Sequence, residues 1–498
     1  MSVLNLKDYS INMRTVQKCG LVILLLALLA SAAVMINGCA TNAATGKRQF
    51  NLISESQEIA IGRDADKQIS AQMGLYPSDA LQKYVSDIGL KMAAQGERPN
   101  LPWSFKVVDD PAVNAFALPG GFIYVTRGIL AHLNSEAELA GVVGHEIGHV
   151  TGKHSVTQMS TAQITQLGLG VSTLLEPRLQ RYANAASQGL GLLFLKFGRD
   201  DETEADALGL RYMRRINKDP RELVGVMEML DGVTQAAGGS DVPEWLSTHP
   251  NPGNRAQNIL GQLDTMSIAS GSEVNREKYL EMIDGIVFGD NPRHGYFKES
   301  LFLHPDFKFR YEFPQGWRTA NQVQGVVGIS ANQDAMIQLT LAEGSSHTEA
   351  ANGFFSQQGV VATGRQSANV NGIPASWGKF SVATESGELR GVAYFYSYDS
   401  KIFQILAYGT AAGWSANEQA ATNSTKSFAK LTDAKALAVQ PWKLKIVTLN
   451  EAMTLDQFAQ KYPTPVSIDV LGIINRTDSN TRFIKGNKLK TVVGEKLP

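Results

Sequence analysis

His145-Glu146-Ile147-Gly148-His149 decides how this chain is read. On a helix, positions four apart stand one turn above each other on a single face, so two imidazoles at that spacing converge on one metal ion. Glu146 lies beside that line, where a carboxylate can act as general base toward water that zinc acidifies to a pKa of about 7. The helix has its own punctuation. Ser135 with Glu138 makes a capping box, so Glu136 to about Lys153 reads as helical, with Leu139, Val143, Ile147 and Val150 as its buried stripe. Gly141, Gly144 and Gly148 each cost about 1 kcal/mol against Ala inside a helix, which implies that another segment approaches closely. This context argues against two of the 8 histidines simply falling at helical spacing on a solvated face.

A zinc centre that keeps a position for water needs a third protein ligand. Cysteine does not supply it, because Cys19 and Cys39 flank the N-terminal apolar run. Farther along, Arg199-Asp-Asp-Glu202-Thr-Glu204-Ala-Asp206 opens a second amphipathic segment with Leu208, Leu210 and Met213 behind it. Glu202 and Asp206 share a face there. One can bind the metal while the other orients a ligand imidazole, and an acidic helix start favoured by the helix dipole reads equally well.

The two motifs in this order resemble the HtpX, BepA and CAAX prenyl protease family of zinc metallopeptidases. The resemblance covers about residues 50 to 260. It implies one zinc per chain, with His145, His149 and Glu202 as ligands, Glu146 as catalytic base and Asp206 behind a ligand imidazole. Asn114-Ala-Phe116-Ala-Leu-Pro-Gly120-Gly121, followed by Phe122-Ile-Tyr124-Val-Thr126, is a further hallmark of that family. Phe122 to Thr126 reads as a strand after a Pro-Gly-Gly turn, and the resemblance makes it an edge strand beside the zinc, holding an extended peptide by β-augmentation. Asn114, Phe116, Gly120, Gly121, Phe122 and Tyr124 are the residues expected at that substrate strand. His154 falls off the metal-facing line and reads as structural or solvent-facing. His249, in Leu246-Ser-Thr-His-Pro250, resembles the S-T-H-P segment that precedes an Arg, here Arg255, in BepA-like members. Three roles stay open for it: a gate on the fourth zinc position, a catalytic group that stabilises the transition state, or a local loop hydrogen bond.

The N-terminus points to the compartment. Lys7, Arg14 and Lys18 precede an apolar run from Leu21 to Ile36 and then Asn37-Gly38-Cys39-Ala40, which reads as a secretory signal over residues 1–38. The small residue before Cys39 resembles a bacterial lipoprotein cleavage site, so Cys39 is expected to carry lipid. Ala40 after it resembles lipoproteins sorted to the outer membrane. An uncleaved anchor helix is the alternative, since the run is near the lower limit of about 17 residues for a span.

The 498 residues exceed one domain, and a formal net charge of -1 offers no electrostatic footprint for nucleic acid. Helical patterns over Ser54–Met73, Ser78–Ala94 and Pro220 to about Ala237 predict a mainly α, zincin-like peptidase domain with a small sheet over residues 39–265. A connector follows at 266–300, with one helix around Tyr279 to Ile286. From 301 to 435 the period becomes that of strands. Phe307, Phe309, Tyr311 and Phe313 alternate with Lys308, Arg310 and Glu312, and further β-rich runs stand at Ala335–Leu341, Ala375–Val382, Gly391–Tyr398 and Lys401–Ala407. Two Ala/Ser/Asn-containing segments between them read as helices over one face, giving an α+β antiparallel-sheet domain that resembles the PsbP or Mog-like fold. Residues 440–498 read as strand, helix, helix, strand (Leu444–Thr448, Thr454–Ala459, Ile468–Asn475, Ile484–Leu489). That order resembles a LysM module, which implies peptidoglycan as a partner, although Ala452-Met453 replace the usual Gly-Asp. A cap that only packs on the preceding domains fits the hydrophobic pattern equally well.

The expectation is a periplasm-facing, lipid-anchored zinc endopeptidase acting on misfolded or misassembled envelope proteins. Its rival from another class is an envelope chaperone or cell-wall-binding lipoprotein in which the zinc site is latent.

Overall fold

The computed structural model describes residues 39–168, 196–236, 245, 248–249, 252–322, 325–384 and 387–497. The expected signal segment, 1–38, lies outside them. Described residues open with a hairpin of β1 (Cys39–Thr41) and β2 (Arg48–Phe50). Two capped helices follow, α1 (Glu55–Met73) and α2 (Asp79–Ala93), each starting where Ser54 or Ser78 accepts a backbone N–H of the first turn. Next come β3 (Ser104–Val108), β4 (Ala115–Leu118), β5 (Phe122–Thr126), the short helix α3 (Arg127–His132) and the H-E-x-x-H helix α4 (Glu136–Thr151). The remaining helices of this part are α5 (His154–Gly168), α6 (Arg199–Arg215), α7 (Glu222–Ala236), α8 (Pro252–Asp264) and α9 (Arg276–Ile283).

Helix α4 is the centre of the helical part. Every one of its residues is buried, so the expected single stripe of Leu139, Val143, Ile147 and Val150 is replaced by a helix wrapped on all sides by α2, β4, α6 and α7. Its glycines make that wrapping possible. A Cβ on Gly148 would lie 2.8 Å from the Ala205 carbonyl oxygen, and one on Gly144 would lie 3.2 Å from Gly209 Cα, so α6 runs against α4 nearly backbone to backbone. The expected capping box forms only in part. Ser135 Oγ accepts the Glu138 N–H at 3.1 Å, but Glu138 reaches past the cap to accept the Asn134 N–H at 2.6 Å.

The small sheet has the order β3-β5-β4, with β3 and β5 parallel and β4 antiparallel to β5. Phe122–Thr126 is therefore the central strand and not the edge. The Pro119-Gly120-Gly121 turn folds β4 and β5 into a hairpin, and β4 is the strand this leaves outermost and packed on α4. Tyr124 points away from the metal-ligand motif and hydrogen-bonds Ser70 and Asp66 of α1.

The second part carries two antiparallel sheets. One has the order β16-β8-β7-β6, from β6 (Tyr296–Lys298), β7 (Leu301–His304), β8 (Phe309–Glu312) and β16 (Ala429–Lys430). The other has the order β12-β13-β14-β15-β11-β10-β9, from β9 (Arg318–Gln322), β10 (Gly325–Ile329), β11 (Ala335–Leu341), β12 (Val360–Val370), β13 (Ile373–Thr384), β14 (Gly387–Tyr398) and β15 (Lys401–Thr410). Along β14, Val392, Tyr394 and Tyr396 pack with Trp414 and Ala421 of α11 (Ala411–Thr425), whereas Ala393 and Phe395 pack with Ala350 and Phe355 of α10 (His347–Phe355). The two helices thus cover opposite faces of the sheet, not one face as the sequence suggested, because strand side chains alternate and both alternations are apolar here. A short helix, α12 (Ala434–Ala438), ends this part.

The C-terminal module pairs β17 (Lys443–Thr448) with β20 (Lys488–Val493) and β18 (Met453–Thr454) with β19 (Arg482–Phe483), around α13 (Leu455–Lys461) and α14 (Ile468–Asn475). The last long strand starts at Lys488, later than expected, since Ile484–Asn487 form a turn closed by the Asn487 side chain. Leu444, Leu455, Phe458, Leu471, Ile474 and Val492 lie in one continuous core with Val226, Leu230 and Tyr279 of the helical part. Among the described residues, no helix is long and apolar enough to cross a membrane.

Candidate metal centre

Close packing of α4 on α6 brings the two sequence motifs face to face. His145, His149, Glu202 and His249 each place a ligand atom within 4.8 Å of the others, and all four are buried. His145 Nδ1 is 2.9 Å from Asp206 Oδ1, which as an acceptor fixes the ring proton on Nδ1 and leaves the Nε2 lone pair free. His145 Nε2 faces His149 Nε2 at 2.9 Å, and Glu202 carboxylate oxygens lie 3.5 Å from both nitrogens. Burial first, then the Arg255 charge, depresses His145 to about 4, and burial with the neighbouring imidazoles holds His149 well below its usual range. Both rings are therefore neutral near pH 7. Two neutral imidazoles and a carboxylate converging on one buried point are a donor set that fits zinc. The Glu146 carboxylate agrees, being buried beside them with no side-chain hydrogen bond among the described residues.

Asp206 and Arg255 form the support. Arg255 Nε and Nη2 hold the two Asp206 oxygens at 2.9 and 2.6 Å, and Nη1 stands 2.8 Å from Glu202 Oε2. Burial alone would raise the Asp206 pKa, but the guanidinium outweighs it and holds the carboxyl well below the usual range. Glu146 has no such partner: burial, then the Glu202 charge, pushes it well above the usual carboxylate range.

His249 is brought in from outside the two motif helices. Its Nδ1 is 2.9 Å from Glu202 Oε1 and 3.3 Å from His145 Nε2, while its Nε2 is 3.7 Å from Glu146 Oε1. Its ring stacks on Trp245 at 4.2 Å between centroids, and Phe197 stacks on His149 at 4.0 Å. Sequence reading missed both aromatic walls. Trp245 stands four positions before His249, a spacing that could have signalled it, whereas Phe197 sits in an apolar stretch with no distinguishing pattern. Of the expected substrate-strand residues, Asn114, Phe116, Gly120, Gly121, Phe122 and Tyr124 all lie in or beside the β4–β5 hairpin. Gly120 and Gly121 take left-handed φ values of 78° and 99° at its turn, and Phe116 stacks on Tyr124 at 5.0 Å.

Residues 79–263 match peptidase family M48. The chain is 29% identical over 236 residues to the beta-barrel assembly-enhancing protease of Yersinia pestis, covering 44% of this chain and 47% of that one. It is 36% identical over 180 residues to the mitochondrial metalloendopeptidase OMA1 of Arabidopsis thaliana, covering 36% and 35% respectively, and 31% identical to its Schizosaccharomyces pombe counterpart, covering 43% and 64%. The chain thus spans about half the length or less of the first two relatives. Among solved structures, cyanobacterial PsbP from Synechocystis is similar over 26% of this chain and 93% of that one, at 14% identity and a TM-score of 0.23, too low to carry any argument.

Proposed function

We propose that this chain, through its M48 domain, is a zinc-dependent endopeptidase of the bacterial cell envelope. The observation that carries the reading is the convergence of His145, His149 and Glu202 beside a buried Glu146 that has no side-chain hydrogen bond among the described residues. Held by those three groups, zinc would supply Lewis acidity to water and to a peptide carbonyl. The chain's own residues do the rest. Glu146, poised high by burial, accepts a proton from the attacking water at its carboxylate and returns it to the departing amine. Asp206 and Arg255 lock His145 and Glu202 in place, so the donor set is rigid before substrate arrives. An extended peptide pairs with the outer edge of β4, Ala115–Leu118, in place of the central strand that sequence reading favoured.

His249 lies against this donor set, its Nδ1 beside Glu202 and His145. With a metal bound it could exchange its Glu202 bond for a fourth donor position that substrate would have to displace, which favours the gate over a purely local role. The same observation is what a chaperone with a latent zinc site would present. Hydrolysis of casein and of an unfolded outer-membrane β-barrel protein, with and without a chelator, separates the two. Chelator-sensitive cleavage supports the peptidase, and binding without cleavage supports the chaperone.

Misfolded or misassembled envelope proteins are the proposed substrates, supported by the similarity to a beta-barrel assembly-enhancing protease and by the N-terminal signal pattern. Lipid on Cys39 and an outer-membrane, periplasm-facing location complete the reading. Intact mass of the mature protein tests the anchor: a chain starting at acylated Cys39 supports it, and one starting at Met1 favours a signal anchor. Peptidoglycan is the partner proposed for the LysM-like module, and a packing cap is the alternative, since the module shares its apolar core with the helical part.

A further inference from the structure

His154 is a buried histidine that the scheme above leaves without a task. It follows the H-E-x-x-H helix across a break: Gly152 caps α4, Lys153 takes a left-handed φ of 57°, and α5 starts at His154. The break turns the ring back against the helix it has just left. A Cβ on Gly152 would lie 2.5 Å from His154 Nε2, so the ring fills space that glycine leaves open. There His154 Nδ1 stands 2.9 Å from His149 Nδ1, and its Nε2 stands 3.2 Å from Glu204 Oε1. Glu204 is paired in turn with Lys47 Nζ at 2.5 Å. Lys47 belongs to the β1–β2 hairpin, which is stitched to the end of α4 by Asn42 Nδ2 to the Thr151 carbonyl at 2.9 Å and Gln49 Nε2 to the Gly152 carbonyl at 2.6 Å.

Protons can be assigned along this series by elimination. An ionised carboxylate only accepts, so Glu204 requires the N–H of His154 at Nε2. A neutral imidazole protonated there has its lone pair at Nδ1, so His149 must donate from its own Nδ1. That leaves His149 Nε2 with a lone pair, facing His145 Nε2.

We infer that His154, oriented by Glu204, is a positioning residue that fixes His149 in the Nδ1–H tautomer and so presents its Nε2 to the metal. Asp206 does the same for His145 directly, with a carboxylate, whereas the His149 side uses an imidazole interposed before the carboxylate. The inference rests on the zinc reading proposed above. Sequence spacing could not find it, because a histidine five positions on is off the metal-facing line only if the helix continues.

Zinc affinity of the full chain, measured by competition with a chromophoric chelator, tests it. His154→Leu keeps an apolar filler but no acceptor, and should weaken zinc binding about 10- to 100-fold. His154→Gln offers an oxygen to His149 and an amide to Glu204, and should recover most of that loss. Glu204→Ala should weaken binding less than His154→Leu does. Wild-type affinity in the Leu variant, or equal losses in the Leu and Gln variants, would overturn the inference, since packing alone would then explain the residue. If the Leu variant does not fold, Glu204→Ala decides, and unchanged affinity there overturns it. A wild-type chain that takes up no zinc refutes the underlying zinc reading, which the variants leave distinguishable from a failure of His154.

Discussion

His249 Nδ1 stands 2.9 Å from Glu202 Oε1, so a histidine from outside the two motif helices is bonded to the carboxylate of the metal-ligand set. The contact is held from behind by Trp245, whose ring stacks on the imidazole and whose carbonyl accepts the His249 N–H at 2.7 Å. His249→Ala removes the fourth donor and leaves the other three with their supports. The expected outcome is a several-fold rise in basal proteolysis of casein, with zinc retained. Lost turnover with zinc retained would instead give His249 a catalytic role, and unchanged kinetics would leave it a packing residue.

Lys490 provides the second prediction. Its ammonium is fully buried and donates to the carbonyls of Ala131, His132 and Leu133 at 3.0, 3.1 and 2.6 Å, capping the C-terminal end of α3. Burial holds its pKa well below the ordinary lysine value. Lys490→Met keeps the volume and orphans those carbonyls, so it should cost about 2 to 4 kcal/mol in urea unfolding of the full chain. An unchanged midpoint would mean that the C-terminal module rests on the helical part without supporting it.

Glu136, the first residue of α4, gives a pH prediction. Burial would raise its pKa, but Lys218, Lys278, Asn275 and Tyr84 together bring it from 4.5 down to about 2. A depressed folded-state pKa contributes stability that is present above 4.5 and lost as pH falls toward 2. Glu136→Gln should therefore be less stable than wild type at pH 7, and the gap in unfolding midpoint should close as the pH drops through that window. A gap that stays constant down to pH 3 would contradict the assignment.

The legible parts of this fold are those whose signals are local. Ser54, Ser78 and Ser135 each start a helix where the sequence places it, and the strand run Ala335–Leu341 is seen with the same limits, because caps and alternation act within a few residues. Strand order is not local, and so β5 was read as an edge although β3 and β4 flank it. The polar strand Val360–Val370 escaped because an exposed edge needs no apolar alternation. Lys490 lies just beyond the strand read over Ile484–Leu489, and nothing near it in sequence reveals the three carbonyls at the end of α3. At the site, spacing left Glu202 and Asp206 interchangeable. The side of the imidazoles that each faces separates them: Asp206 bonds His145 at Nδ1, behind the ring, whereas Glu202 turns an oxygen to the Nε2 of each motif histidine.

The most direct measurement of the zinc-peptidase account is metal content and proteolysis of Glu146→Gln alongside Glu202→Ala, each as the full chain. In the proposed scheme Glu146 carries the proton and does not ligate, so Glu146→Gln should keep about one zinc per chain while casein hydrolysis falls about 10²- to 10⁴-fold. Glu202→Ala should lose zinc and activity together. Chelator-sensitive hydrolysis persisting in Glu146→Gln, or full zinc occupancy in Glu202→Ala, would contradict the assignment.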